Sequence, residues 1–135
     1  MKKIYEKSTL YYSILKYIPG SKSKLNVNIG LAVHYPLEKF SHLYVTSNPD
    51  KIAICDSDFA HPFFDMIMKA LQYNLNCNYK TTTEKRFKLI NNVDYLTQKT
   101  NYLTKEIMFT PVQSLEIMPD MYYDTVNQLI KFTTF

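Results

Sequence analysis

Apolar and polar residues alternate with a period of two through residues 26–35, "NVNIGLAVHY". Val27, Ile29, Leu31, Val33 and Tyr35 hold the odd positions, and Asn26, Asn28, Gly30, Ala32 and His34 hold the even ones. Strict alternation predicts a strand with one face turned to a core. The even face is the unusual one, because it carries two amides, a glycine, an alanine and a histidine where charges and threonines are customary. Residues 9–18, "TLYYSILKYI", predict a strand before it, ended by Pro19-Gly20 and the polar run "SKSK". Residues 40–46, "FSHLYVT", predict a third strand after the turn "PLEK", where Pro36 removes a donor. A parallel pair would need a crossover of a dozen or more residues, so loops this short imply an antiparallel meander.

Beyond "NPDKIAICDSD" the period changes to that of a helix. Phe63, Phe64, Ile67, Met68, Leu71 and Leu75 predict a helix from about Phe59 to Cys77, with Pro62 tolerated in its first turn. A second helix is expected over 82–98, opened by a capping box of Thr81 and Glu84 and burying Leu89, Ile90, Val93 and Leu96. Residues 105–117, "KEIMFTPVQSLEI", predict one strand interrupted by Pro111 or two short edge strands. A last helix is expected to start at Asp120 after Pro119 and to bury Tyr122, Val126, Leu129 and Ile130. The expected fold is α+β: a three-strand N-terminal meander plus one or two C-terminal strands in an antiparallel sheet, with about three helices packed on one face. Its 135 residues suit a single domain, 1–135, with a core of its own.

The stretches "YYSILKYIPGSKSKLNVNIGLAVHYP" and "IMFTPVQSLEIMPDMYYDTVNQLIKF" together resemble domain of unknown function 3037, a family of small bacterial and mobile-element proteins. The likeness rests on Tyr17, Ile18 and Pro19, then Lys22, then Asn28, Ile29 and Gly30, then Phe109 and Thr110, then Val126 and Leu129. It covers both ends of the chain and leaves the middle unspecific. The family's turn carries arginine and then glutamate before its Asn-x-Gly, whereas this chain has Lys22 or Lys24 and Leu25, so a role for that acid is lost or moved. Members often stand beside genes for HipA-like kinases, so the resemblance implies a regulatory partnership and no particular chemistry.

Composition alters this picture little. Hydrophobic residues make up 46% and charged residues 21%, which is ordinary for a globular protein. The net charge of +4 comes from fifteen lysines spread along the chain and the single Arg86, without the clustering that phosphate recognition uses. The abundance of Lys, Asn, Ile, Tyr and Phe matches AT-rich coding. Cys55 and Cys77 lack metal or redox spacing and read as reduced thiols of a cytoplasmic protein. Polar residues break up the start "MKKIYEKSTLYYS", so no signal peptide is expected, and no apolar run is long enough for a membrane span.

Candidate chemistry is sparse. With glycine only at positions 20 and 30, a Gly-rich phosphate loop is excluded, and no catalytic or metal-binding motif is present. Asp56 and Asp58 in "CDSD" could share a divalent cation, although two acids before a helix more often favour its dipole. His34 and His42 would share a face if Tyr35 paired with Lys39, and a slip of one residue would separate them. Lys16, Lys22 and Lys24 near Tyr11, Tyr12 and Tyr17 could neutralise phosphates and stack bases.

The leading expectation is a non-catalytic, protein-binding regulator without cofactor, bound metal or membrane attachment. Its partner would be a kinase-like protein, as in a toxin–antitoxin pair, or a host defence enzyme inhibited by a phage or mobile element. Lys22, Lys24, Asn26, Asn28, Gly30, His34 and Tyr44 form the expected contact set, although Gly30 and Ala32 equally suit an internal face that makes room for a neighbouring aromatic such as Tyr44 or Tyr12. The alternative is a nucleic-acid-binding module built on the Lys16, Lys22 and Lys24 turn, and a weaker third is a metal-dependent enzyme at Asp56 and Asp58.

Overall fold

A computed structural model describes residues 7–18, 27–47, 61–76, 95–100 and 107–133. In chain order these form β1 (Ser8–Tyr17), β2 (Val27–Tyr35), a 3₁₀ turn (Pro36–Glu38), β3 (Phe40–Val45), α1 (His61–Leu75) and α2 (Tyr95–Lys99). There follow β4 (Ile107–Phe109), β5 (Gln113–Ile117), a second 3₁₀ turn (Pro119–Met121) and α3 (Tyr122–Thr133). The strands make one five-stranded antiparallel sheet in the order β3-β2-β1-β4, with β5 also paired to β1. The protein is therefore α+β, with the meander first and two short C-terminal strands last. The capping box at Thr81 and Glu84 lies outside the described residues, and α2 covers the end of the expected second helix.

The C-terminal strands lie end to end along β1 and are separated by a bulge. Leu15 pairs with Phe109 and Tyr12 with Gln113, so Thr110, Pro111 and Val112 oppose only Ser13 and Ile14. Proline offers no donor here, and Thr110 bonds to β1 on both sides of the break. Its amide donates to the Ile14 carbonyl (2.8 Å), its hydroxyl accepts from the Ile14 amide (2.9 Å), and its carbonyl accepts from the Ser13 hydroxyl (2.6 Å). The opposite edge, β3, is covered at Leu43. Asn76 Oδ1 accepts from the Leu43 amide (2.8 Å), and Gln72 Nε2 donates to the Leu43 carbonyl (3.3 Å). Side chains from the end of α1 thus occupy backbone groups that another strand could otherwise use.

A second bulge, in β2, decides what each face of the sheet carries. Leu15 pairs with Gly30 while Lys16 pairs with Asn28, which makes Ile29 the extra residue. Beyond the bulge the parity reverses. Ile29 packs with Ala32, Leu15 and Leu43 against Phe64, Met68, Leu71 and Leu75 of α1 and Leu96 of α2. Leu31, Val33 and Tyr35 turn the other way, joining Leu10 and Ile117 against Tyr122 and Val126 of α3. The helices are therefore split between the two faces, in contrast to the single covered face expected from the sequence. Every residue of β2 from Ile29 to Tyr35 is buried. The sequence leaves Gly30 and Ala32 open between a packed face and a contact surface, because small residues also suit a strand that is packed from both sides.

Gly30 has no positive φ, so its role is steric. A Cβ there would lie 2.7 Å from the Tyr44 carbonyl oxygen on β3 and 3.4 Å from the Leu15 side chain. The first distance is to backbone and can be relieved only by moving a strand. Gly30→Val is expected to lower stability by about 1–3 kcal/mol, as overpacking does. Equilibrium urea unfolding checks this, and an unchanged midpoint would remove the steric role.

Candidate functional site

The loop between β2 and β3 sets the register on which any site depends. Pro36 opens the 3₁₀ turn, Lys39 closes it in the left-handed region at φ 50°, and the Lys39 amide donates to the Pro36 carbonyl (2.9 Å). Tyr35 then pairs with Phe40, one residue away from the pairing that would unite the histidines. His34 faces Ser41 on the α1 side, and His42 faces Val33 on the α3 side. The two histidines are separated by the thickness of the sheet.

On the α1 side, His34 is fully buried between the rings of Tyr11 (5.5 Å) and Tyr95 (4.7 Å). Its neighbour Ser41 donates its hydroxyl to the Leu75 carbonyl at the end of α1 and lies 3.0 Å from the Tyr95 hydroxyl. The carbonyls of a helix's last turn lack intrahelical partners, and Ser41 and Tyr95 satisfy one of them. A serine beside a histidine here ties α1 and α2 to the sheet, and both side chains are closed to substrate.

On the α3 side, the even positions of β3 place Phe40, His42 and Tyr44 beside Tyr35 of β2 and under Tyr122, the first residue of α3. Tyr122 stacks on Tyr35 (4.6 Å, 12°), and Phe40 meets its ring edge-on (5.9 Å, 86°). His42 lies between Phe40 (5.9 Å) and Tyr44 (4.5 Å). Tyr123 continues the row outward, edge-on to Tyr122 (5.1 Å, 70°), with 78% of its surface in solvent. The Pro119–Met121 turn sets this geometry by starting the helix directly over Tyr35. Asp120, expected as the cap, lies exposed inside that turn.

Burial holds the phenols of Tyr35, Tyr44 and Tyr122 neutral. Burial, chiefly, pushes the Tyr122 hydroxyl far above its ordinary range, and Tyr44, Tyr123, Glu38 and Tyr35 add to the shift. Burial likewise raises Tyr35 and Tyr44. The Tyr35 hydroxyl is bonded to Ser8, whereas the Tyr122 hydroxyl is buried with no hydrogen-bond partner among the described residues. Phenols so disposed do not serve as phenolate nucleophiles or bases near neutral pH. Burial lowers His42 from its ordinary 6.5, so its imidazole is also neutral there. The cluster can stack, accept hydrogen bonds and present an aromatic side chain to solvent.

The expected contact set does not come together as one surface. Lys22, Lys24 and Asn26 lie outside the described residues, as do Asp56, Asp58, Cys55 and Cys77. The β2 bulge sends half-buried Asn28 to the α3 side, where its Nδ2 donates to the Thr133 carbonyl at the end of α3 (2.9 Å). Gly30 and His34 are buried on the α1 side, and Tyr44 belongs to the aromatic cluster. From Gly30 to His34 the even face of β2 is internal, because α1 and α2 close over it, which decides between the packing face and the contact surface that the sequence left open. Tyr11 and Tyr17 face the α1 side and Tyr12 the α3 side, so the tyrosines near Lys16 do not form one stacking platform. The outward row from Tyr35 through Tyr122 to Tyr123 was not anticipated, although the alternating Phe40, His42 and Tyr44 signalled its β3 part.

Compared with protein-family models, with curated proteins and with solved structures, the chain matches none. Among the described residues no helix is long and apolar enough to cross a membrane, and no three His, Cys, Asp or Glu side chains group as metal ligands.

Two measurements test the cluster. Tyr122→Phe removes a buried hydroxyl that lacks a partner, so stability in urea should stay level or rise by up to about 1 kcal/mol, and a comparable loss would mean the hydroxyl is bonded. The unfolded chain protonates His42 more readily than the folded one. Its contribution is therefore fully present above pH 6.5, erodes as pH falls, and levels once the folded imidazole also protonates. Unfolding free energy measured against pH should fall more steeply on the acid side in wild type than in His42→Gln, and parallel curves would contradict the shift.

Proposed function

We propose that the chain is a non-catalytic regulatory module that binds another protein in the cytoplasm, and that it does so through the exposed flanks of α3. The observation that carries this reading is Tyr123. It is largely exposed, yet its ring rests on a buried aromatic stack rooted in the sheet. An aromatic side chain held in place before binding loses little conformational freedom on contact, and tyrosine is among the residue types that concentrate interface energy. Phe132, 81% exposed, stands nine residues further along the same helix. At about 100° per residue, the two rings project from opposite flanks of α3. A partner that cradles the helix engages both, in the manner of a helix seated in a groove.

A HipA-like kinase is the partner class that the resemblance to domain of unknown function 3037 suggests, and a host defence enzyme engaged by a phage or mobile-element inhibitor fits the same contact. The nucleic-acid alternative is weakened by the division of Tyr11, Tyr12 and Tyr17 between the two faces of the sheet.

Capture from cells of the native host tests the proposal. The wild-type chain should retain a protein partner, and Tyr123→Ser and Phe132→Ser should each weaken its capture by about tenfold or more. Both positions are exposed, so the unfolding free energy should stay within about 0.5 kcal/mol of wild type. Undiminished capture by both variants would move the contact away from α3. Retention of nucleic acid alone, lost steeply as salt rises, would replace the proposal with the alternative.

A further inference from the structure

The outer side of α1 is apolar where a surface helix is normally charged. Phe64, Met68, Leu71 and Leu75 turn inward, and directly opposite them Pro62, Met66, Ala70 and Tyr73 form an exposed stripe. Met66 is 60% exposed and Tyr73 76%. At about 100° per residue these four fall within roughly 80° of one another, and Lys69 and Asp65 lie along the same border of the stripe. Pro62, Met66, Lys69 and Tyr73 follow the alternating four- and three-residue steps of a helix–helix seam.

We propose that this stripe is the contact between two copies of the chain, with their α1 helices packed antiparallel about a two-fold axis. Charge selects both the occupant and the direction. A parallel two-fold pair would set Lys69 against Lys69 across the seam and leave the two Asp65 side chains on its opposite borders, so the lysines would repel and neither aspartate would gain a partner. An antiparallel pair with the axis level with the Ile67–Met68 peptide sets Met66 of each copy against Lys69 of the other, and Pro62 against Tyr73. Asp65 of each copy then lies within about 1.5 Å, one residue's rise, of the level of the other's Lys69. Two reciprocal ion pairs follow from one symmetric arrangement, as an isologous interface requires. The small Ala70 side chain lets the helices approach to about 8–10 Å, and the Lys69 stem adds apolar surface while its ammonium reaches the rim. This contact uses α1 alone, so it stands or falls separately from the binding proposed for α3.

Sedimentation equilibrium of the intact chain over a wide concentration range tests it. Wild type should form a reversible dimer, and Tyr73→Ala should weaken it. Asp65→Lys and Lys69→Glu should each raise the dimer Kd by about tenfold. Each single variant also loses an attraction between positions 65 and 69 of its own helix, so the deciding sample is an equimolar mixture of the two. One variant then carries only positive charge at these positions and the other only negative, and the mixture should associate at least as tightly as wild type. The double variant Asp65→Lys/Lys69→Glu should recover self-association. A wild-type chain that stays monomeric throughout, charge variants that dimerise like wild type, or a mixture that associates no better than its components would each overturn the proposal.

Discussion

The backbones of β2 and β3 approach so closely at Gly30 that no side chain fits between them, and the rest of the architecture follows from that contact. A Cβ at Gly30 would meet the Tyr44 carbonyl oxygen at 2.7 Å. Glycine at this point lets Ile29 stand as an extra residue opposite β1 while β2 keeps its pairing with β3 on the other side. The bulge sends Ile29 toward α1 and Asn28 toward α3, so one strand supplies apolar side chains to two cores and an amide to the end of a helix. Each fully buried leucine or isoleucine is worth about 1.5–3 kcal/mol. A central strand buried on both sides collects several such contributions, which makes β2 the axis of the fold.

Most of the framework was legible in the sequence because it depends on local periodicity. The alternation in 9–18, 26–35 and 40–46, the apolar helical spacing from Phe63 to Leu75, and proline at positions 36, 111 and 119 sufficed for the meander, the first helix and the interrupted last strand. Two features were not legible, and both depend on pairing between strands. The Ile29 bulge reverses the parity of β2 midway, and nothing within ten residues of sequence says which side the extra residue joins. The turn at 36–39 sets Tyr35 against Phe40 instead of Lys39, and that single step puts His34 and His42 on opposite faces. The even positions of β2 consequently stayed open between a contact surface and an internal face. Amides and small residues suit a partner from outside, but they equally suit a helix of the same chain, and the two cases share one composition.

The same redistribution moves the candidate contacts off β2. With Gly30, Ala32 and His34 enclosed beneath α1 and α2, β2 has little of itself to offer, and the four most exposed large apolar side chains among the described residues lie on the helices that cover the sheet. Tyr123 and Phe132 mark α3, and Met66 and Tyr73 mark α1. These helices lie on opposite sides of the sheet, so a contact between copies through α1 leaves α3 open for a different partner, and a dimer would carry two such helices.

The central claim is that β2 changes allegiance at its bulge, and nuclear Overhauser contacts of the purified chain test it most directly. The account predicts that the Asn28 side-chain amide shows contacts to the last turn of α3 near Thr133, while the His34 ring shows contacts to the rings of Tyr11 and Tyr95 beneath α2. Asn28 and His34 both contacting the same helix, as an unbroken alternation along the strand would require, would contradict it.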